Sequence, residues 1–380
     1  MRIALLALLT LVTACPFDRG YESKDANGGG SDDGGSNAGS DAGSDAGSGS
    51  GSDAMTTPLR EKPITITGLV VGTHTDFPLW LSLTDPQLAA RARPDGTDIH
   101  FVAGTTQLDY QIQSWTKSSG RLDAWVRVPS LAMGTQIAMR YGDVTVAHAP
   151  DAPGTFAGYA AVWHFDDALN NATVADARNQ TNGTAVSLNA GDSVAAQLGR
   201  GFNFTDGNDQ VTFTNPLTGN TSHTISAWIN QRTTTTNDAI IALGETETNQ
   251  ARWFHSRFNT ATIAVGFYNN DYPDPNEDVI GGGWVLLHWV YDGTNRQTRL
   301  YRNAALVAGP FQHGTGVNTQ GNAGSIGNAA SGFGQNMGIN ATLDEVRIIN
   351  VARGSTWLAA EALNQATPAM FYTVGVEQAP

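Results

Sequence analysis

Short segments in which apolar and polar residues alternate dominate the chain from about residue 59 onward, and they constrain its fold most strongly. Ile64-Thr65-Ile66-Thr67 and the run from Ala124 to Val128 are typical examples. Alternation with period two is the pattern of half-buried β-strands. Clusters of Gly, Asp, Pro and Ser, such as Pro94-Asp95-Gly96, separate the segments. Strands and turns in this succession predict an all-β fold of antiparallel β-sandwiches.

The alternating segments form two blocks, residues 58–150 and residues 156–380, which we predict to be two β-sandwich domains. In the second block, Asp292-Gly293 separates two alternating runs and predicts a β-hairpin. A short helix is predicted at Ser355–Leu363, with Ser355 as its N-cap.

The first residues have the character of an export signal. Arg2 precedes a short apolar stretch, and small residues lead to Cys15, which is the single cysteine of the chain. The ending Leu-Val-Thr-Ala-Cys resembles the lipobox of bacterial lipoproteins, which implies a signal peptide at 1–14 and lipidation of Cys15. The alternative is an ordinary secretory signal with a chance cysteine.

Residues 15–57 are predicted to be a disordered linker that follows the lipid anchor. Positions 26–54 contain Gly, Ser, Asp, Ala and Asn alone, so nothing there can be buried to offset the ordering entropy. A flexible chain of this length reaches about 30 Å, enough to hold a folded part away from a membrane surface.

Composition excludes several classes of function. The formal net charge is −14, from 21 Lys+Arg and 35 Asp+Glu, which disfavours binding to nucleic acid. One cysteine excludes a disulfide framework and a cysteine-based zinc site.

The first block carries a family resemblance. Asp76-Phe77-Pro78-Leu79, the run from Gly96 to Phe101, the run from Leu108 to Ile112 and Tyr141-Gly142-Asp143 resemble, in order, the domain of unknown function family 2341. That family occurs in bacterial envelope proteins and has no assigned chemistry. The tryptophans of this block either line a sugar platform or are core or edge aromatics; they are Trp80, Trp115 and Trp125.

The second block resembles the laminin-G-like group of the concanavalin A-like lectin/glucanase superfamily. The resemblance rests on Trp163–Asp166, Ile225–Ile229, Tyr291-Asp292-Gly293 and Leu343–Ile348. It implies a jelly roll of two stacked antiparallel sheets. Asn303-Ala304 replaces the Asp-Gly that the family has after its Leu-Tyr strand, so we expect an altered hairpin tip.

Catalytic motifs are missing from the sequence. It contains no His-Glu-x-x-His and no Gly-x-Ser-x-Gly. Hydrolases of the same superfamily carry Glu-x-Asp-x-x-Glu on one strand, so that two acids flank the scissile bond. Glu245-Thr246-Glu247 lacks the third acid and follows Gly244 in a predicted loop. We therefore expect a protein that is not an enzyme.

A structural calcium ion is the one cofactor that the resemblance implies. Calcium prefers oxygen ligands from carboxylates and turn carbonyls. The family's site maps onto Asp344 and, less directly, onto Asp166 and either Asp206 or Gly207. The alternative is that Asp344 caps a strand end or pairs with Arg347.

A ligand site is predicted within residues 253–272. Alternation places Trp253, His255 and Arg257 on one face of a strand, and a loop follows with further aromatic and amide side chains, Tyr268, Asn270 and Tyr272. Aromatic rings stack on sugar rings, and amide or guanidinium groups bind hydroxyls. The alternative is an ordinary polar outer face.

These features predict a lipid-anchored protein of the bacterial cell envelope, on the outer membrane or cell surface. Its second domain is predicted to bind carbohydrate or a surface protein without catalysis. The alternatives are an adhesive protein that recognises no sugar and a divergent glycoside hydrolase. No nucleic-acid partner is expected.

Overall fold

The computed structural model describes residues 59–380 apart from single positions and short stretches, which are 69, 144, 146, 206, 234–236, 259–261, 274–278, 280, 330–332 and 335. The predicted signal peptide, Cys15 and the linker lie outside the described residues. The predicted all-β fold is confirmed, because antiparallel sheets make up most of the described chain.

Strands from both ends of the described chain build the first sandwich. Sheet I has the strand order β24-β1-β7-β3-β4, and sheet II has the order β2-β6-β5. The elements are β1 (Arg60–Ile66), β2 (His74–Thr84), α1 (Pro86–Arg91), β3 (His100–Ala103), β4 (Thr106–Gln107), β5 (Tyr110–Thr116), β6 (Arg121–Leu131), β7 (Gln136–Tyr141), α2 (Ala152–Thr155) and, near the C-terminus, α3 (Ser355–Ala366), α4 (Pro368–Phe371) and β24 (Tyr372–Val374).

The intervening strands build the second sandwich. Sheet III has the order β18-β17-β16-β15-β22-β13-β10-β9, and sheet IV has the order β11-β12-β23-β14-β19-β20-β21, with β8 also paired to β23. The strands are β8 (Tyr159–Trp163), β9 (Thr173–Val174), β10 (Gly183–Val186), β11 (Ser193–Ala195), β12 (Arg200–Phe204), β13 (Gln210–Thr214), β14 (His223–Thr233), β15 (Asp238–Gly244), β16 (Ala251–Phe258), β17 (Thr262–Phe267), β18 (Asn270–Pro273), β19 (Val285–Asp292), β20 (Gln297–Arg302), β21 (Ala305–Gln312), β22 (Ala323–Ile326) and β23 (Asn340–Ile349).

Each sandwich buries its own apolar core. Phe77, Leu79 and Phe101 pack between sheets I and II. Trp163 and Trp289 pack between sheets III and IV. Every one of these side chains is at most 1% exposed. Burying a large apolar side chain contributes about 1.5–3 kcal/mol, so each core stabilises its own pair of sheets.

The C-terminal segment packs on the first sandwich, although it follows the second in sequence. Strand β24 pairs antiparallel with β1, with Ile64 opposite Val374. Helix α3 is tied to the edge of sheet II by Asn364, whose side-chain oxygen accepts from the Trp80 amide at 2.7 Å and whose side-chain nitrogen donates to the Trp80 carbonyl at 3.0 Å. The segment that follows β23 therefore completes the first sandwich, although the chain has already formed the second.

An apolar cluster joins the two sandwiches. Trp80 and Trp125 of sheet II, with ring centroids 4.7 Å apart, share it with Trp228, Leu286 and Ile349 of sheet IV. Trp80 and Trp125 are 3% and 0% exposed. Both rings therefore pack at the junction and do not form a sugar platform. For Trp80 and Trp125, the structure supports the core alternative.

Two local predictions need correction or detail. Helix α3 begins at Ser355 as predicted but runs to Ala366, and its N-cap is Gly354, so the assignment of Ser355 as N-cap was wrong. The hairpin tip at Asn303-Ala304 has two consecutive positive φ angles, 47° and 66°. The Asn-Ala pair thus holds the left-handed geometry that two-residue β-hairpin loops require.

Candidate functional site

The outer face of sheet III carries two aromatic rings and a carboxylate. Trp253 on β16 lies opposite Gly266 on β17, and Gly266 lies opposite Asp271 on β18. Because Gly266 has no side chain, the Asp271 carboxylate leans over it, with Oδ1 3.1 Å from the place that a Cβ of residue 266 would take. The ring of Tyr268 lies 5.5 Å from that of Trp253.

Two polar atoms of this face lack partners. Trp253 Nε1, a donor, and Asp271 Oδ1, an acceptor, are buried and make no hydrogen bond with the described residues. Burial raises the pKa of Asp271 to about 7. An unused donor and an unused acceptor on one face are what a hydroxyl-bearing ligand can satisfy, because a hydroxyl both accepts and donates.

The predicted residues of this region do not all meet. Trp253 is 3% exposed, with Phe333 5.9 Å from its ring, and His255 is fully buried, so neither presents a ring face to solvent. Arg257 and Tyr268 are half-buried, and Arg257 lies opposite Asp238 in the β15–β16 register. Asn270 and Tyr272 of the predicted set are half-buried as well.

Asn270 and Tyr272 alternate with Asp271 along β18, and the structure separates them from Trp253. The Tyr272 ring stacks on Phe311 at 4.5 Å, and its hydroxyl donates to the Gln312 carbonyl at 2.6 Å. Asn270 donates to the Asn249 side chain at 2.7 Å. The strand period of two places these side chains opposite to Asp271, which the sequence-based selection missed.

Two predicted metal ligands, Asp166 and Asp344, do lie together. The amide of Arg200 donates to Asp166 Oδ1 and the amide of Leu198 donates to Asp344 Oδ2, both at 2.8 Å. Two residues of chain span at most about 7 Å, so the carboxylates are neighbours. Asp166 Oδ2 and Asp344 Oδ1 are buried and have no hydrogen-bond partner among the described residues. Burial raises the pKa of Asp166 to about 7 and, with the charge of Glu345, holds the pKa of Asp344 well above its usual value.

A β-bulge in β23 explains why three charged residues share the outer face of sheet IV. Trp228 pairs with Asp344 but Ser226 pairs with Arg347, and Glu345 between them has a φ of 52°. The extra residue interrupts the alternation, as bulges do. Glu345 then meets Arg347 at 2.7 Å and His164 at 2.8 Å. These two partners hold the pKa of Glu345 below its usual value, against the effect of burial.

Asp166 of this pair lines a cavity of about 240 Å³ between the two sandwiches. The first sandwich contributes Gln111 and Gln113, and the second contributes His164, Asp166 and Asp167. Gln113 donates to the Leu198 carbonyl at 3.2 Å and accepts from Trp125 at 2.7 Å, so it links the loop that binds the carboxylates to the junction.

The remaining predicted ligands do not join this pair. Gly207 lies after the end of β12, beside Asn336. Asp166 lies at the other end of that strand, where it accepts a hydrogen bond from the amide of Arg200. Asp206 lies outside the described residues. Within the described part of the chain, no three His, Cys, Asp or Glu side chains are grouped so that they could hold a metal ion. Two carboxylates, each with one oxygen that has no hydrogen-bond partner among the described residues, are therefore the groups that could bind calcium here.

Among the described helices, none has the length and apolar character needed to cross a bilayer. Lipidation of Cys15 stays a prediction.

Two family models match the chain. Residues 205–359 match the concanavalin A-like lectin/glucanases superfamily (Laminin_G_3), and residues 95–196 match a domain of unknown function, DUF2341. Each of the two predicted resemblances is thus matched by a family model, in the predicted order. The DUF2341 match extends from the first sandwich into β8–β11 of the second, so the limits of the family match differ from the predicted domain limits. The domain limits of 58–150 and 156–380 stay a prediction.

Several solved structures are similar to the chain at low identity. A Trypanosoma rangeli sialidase in complex with 2,3-difluorosialic acid is 11% identical over 70% of this chain, with a TM-score of 0.41, and this chain spans 43% of it. Domain 4 of AbnA, a GH43 extracellular arabinanase from Geobacillus stearothermophilus in complex with arabinotriose, is 16% identical over 54% of this chain and 98% of its own length, with a TM-score of 0.41. The comparison with curated proteins gave no match. Similarities of this degree carry no argument about the ligand or the activity.

Proposed function

We propose that the chain is a non-catalytic binding protein of the bacterial cell envelope whose second sandwich binds carbohydrate on the outer face of sheet III. The observation that carries the proposal is the unused donor Trp253 Nε1 and the unused acceptor Asp271 Oδ1 beside the ring of Tyr268. The main chains of Trp253 and Asp271 are two strand spacings apart, about 10 Å, which their side chains and one sugar ring can span.

The residues support binding without hydrolysis. Glu245 and Glu247, the nearest sequence imitation of a hydrolase motif, follow the last residue of β15 and lie in a loop. Of the acids at the junction, Glu345 is ion-paired with Arg347, and the amide of Leu198 donates to Asp344, so both carboxylates already serve structural contacts.

A glycan array probed with the full chain tests the proposal. Asp271→Asn should weaken binding about 5- to 150-fold, because a hydrogen bond left unmade at a buried group costs about 1–3 kcal/mol. Tyr268→Ala should also weaken binding, because it removes the ring that a sugar face would pack against. Arg257→Ala should weaken binding as well. Tyr272→Ala is the matched control and should keep wild-type affinity, since that ring stacks on Phe311.

The other outcomes separate the competing functions. Binding to a surface protein with no glycan bound would favour an adhesive protein. Release of reducing sugar from a polysaccharide would contradict the non-catalytic role. Equal loss of binding in Tyr272→Ala and Tyr268→Ala would refute the assigned face.

We also propose that Asp166 and Asp344 hold a structural calcium ion, completed by main-chain carbonyls and water. Support comes from their unused buried oxygens and from left-handed residues beside them, Phe165 at φ 60° and Glu345 at φ 52°. Such strain persists where the surroundings enforce it, often at functional sites. Calcium should raise the melting temperature of the wild type and of Asp95→Asn but not of Asp344→Asn. An equal rise in all three proteins would refute the site.

Anchoring through a lipid on Cys15 completes the proposal. Cys15→Ser should abolish labelling with a radioactive fatty acid and release the protein from the membrane fraction. Unchanged labelling would refute the assignment.

A further inference from the structure

Arg252 is a buried cation inside the second sandwich. It lies on β16, is fully buried, and its guanidinium carbon is 5.7 Å from the ring centroid of Phe267 in the core. Its Nη2 donates to the carbonyls of Gly219 at 3.3 Å and Thr221 at 2.9 Å. Its Nε and Nη1 make no hydrogen bond with the described residues.

No carboxylate of the described residues neutralises this charge. Burial lowers the pKa of Arg252 to about 10, so the guanidinium stays protonated at neutral pH. Tyr291 acts against burial and raises the pKa of Arg252, but burial raises the pKa of Tyr291 itself to about 12, so this neighbour is neutral at pH 7 and supplies no counter-charge. A buried charge without a counter-charge costs several kcal/mol, which makes an unpaired guanidinium in a sandwich core unusual.

Further polar groups of the same region are also unsatisfied. His223 is fully buried, and neither of its ring nitrogens makes a hydrogen bond of ordinary geometry with the described residues; Nδ1 of His313 and Oγ1 of Thr319 also lack one there. The rings of His223 and His313 lie 5.5 Å and 5.8 Å from that of Tyr291. Burial, and then the charge of Arg252, keep the pKa of His223 well below its usual value, against a smaller effect of the Thr221 backbone. His223 is therefore neutral and retains one N–H donor.

We propose that this end of the second sandwich binds one small inorganic anion, of about the size of chloride, between Arg252 and His223. An anion accepts from Nε and Nη1 of Arg252 and from the His223 N–H, and it also neutralises the buried charge. A water molecule satisfies hydrogen bonds but supplies no charge, so it meets only part of the requirement.

Chloride titration of the full chain tests the proposal, with ionic strength held constant by gluconate, an anion too large to enter. Above the dissociation constant, the apparent unfolding equilibrium constant should fall about tenfold for each tenfold rise in chloride. Arg252→Met should lose this dependence, and Arg299→Met, a half-buried arginine of β20, should keep it. Equal chloride dependence in all three proteins, or none in the wild type, would overturn the proposal.

A second measurement on the wild type decides the question if Arg252→Met does not fold. Crystals soaked in bromide should show an anomalous peak within hydrogen-bond distance of Arg252 Nε or Nη1. Water molecules at these atoms with no bromide peak would overturn the proposal.

Discussion

Replacing Arg347 with methionine removes the central cation of the junction between the two sandwiches. Arg347 is 1% exposed, with Nη2 2.7 Å from Glu345, Nη1 3.4 Å from Glu361, and its guanidinium carbon 4.2 Å from the Trp125 ring centroid. Methionine has a similar length, so the substitution removes the charge while filling much of the same volume.

The expected cost follows from the two carboxylates left behind. Removing one partner of a buried ion pair typically destabilises a protein by about 3–5 kcal/mol, because a charge stays buried without compensation. His164 and His288 still contact Glu345 and Glu361 respectively, which places the expectation near the lower end, about 3 kcal/mol. The double variant Arg347→Met/Glu345→Gln should recover part of this loss, since one of the two charges is then absent.

Urea unfolding followed by tryptophan fluorescence measures the effect. The matched control is Arg93→Met, whose partner Asp95 is 53% exposed, and such pairs contribute about 0–1 kcal/mol. A loss below about 1 kcal/mol for Arg347→Met, or the same loss in the control, would refute the reasoning that the junction depends on this buried network.

Three further predictions address other parts of the structure. Burial raises the folded-state pKa of Asp271 to about 7, so this carboxyl should lower the stability of the wild type as pH rises from 4 to 7. Asp271→Asn should reduce this loss and exceed the wild type at pH 8 by at least about 1 kcal/mol in urea unfolding, and equal pH profiles would count against the burial of this carboxylate. Asn364→Ala should lower the free energy of unfolding by about 1–3 kcal/mol, because both main-chain groups of Trp80 lose their partner. The control Asn318→Ala, at an exposed position, should change it by less than about 0.5 kcal/mol. Similar values for the two variants would contradict the packing of α3 on sheet II. Trp289→Ala, at a fully buried position, should lower the free energy of unfolding by about 3–5 kcal/mol in the same assay. Val376→Ala, at an 81% exposed position, should leave it nearly unchanged. An unchanged free energy for Trp289→Ala would contradict the placement of Trp289 in the core of the second sandwich.

The strands could be predicted from sequence because alternation is a local property. The hairpin at Asp292-Gly293 follows from residues that are neighbours in the chain, and the structure pairs Leu300 with Trp289 across it. The return of β24 to β1 could not be predicted, since it joins residues more than 300 positions apart and no local pattern marks it.

The candidate site was predictable in part for the same reason. Alternation along β16 places Trp253 on the outer face of sheet III. The turn at Tyr268 and Asn269, where φ of Asn269 is 59°, changes which residues of β18 lie on that face. The sequence pattern therefore favours Tyr272, whereas the structure places Asp271 on the outer face. The bulge at Glu345 changes the alternation in β23 in the same way, so the junction network is visible only in three dimensions.

A crystal structure of the protein soaked with an oligosaccharide that the glycan array selects would test the binding proposal most directly. The proposal predicts sugar density on the outer face of sheet III, with a hydroxyl within hydrogen-bond distance of Asp271 Oδ1 and a ring face against Tyr268. Sugar bound elsewhere on the molecule, with Asp271 and Tyr268 unchanged, would contradict it.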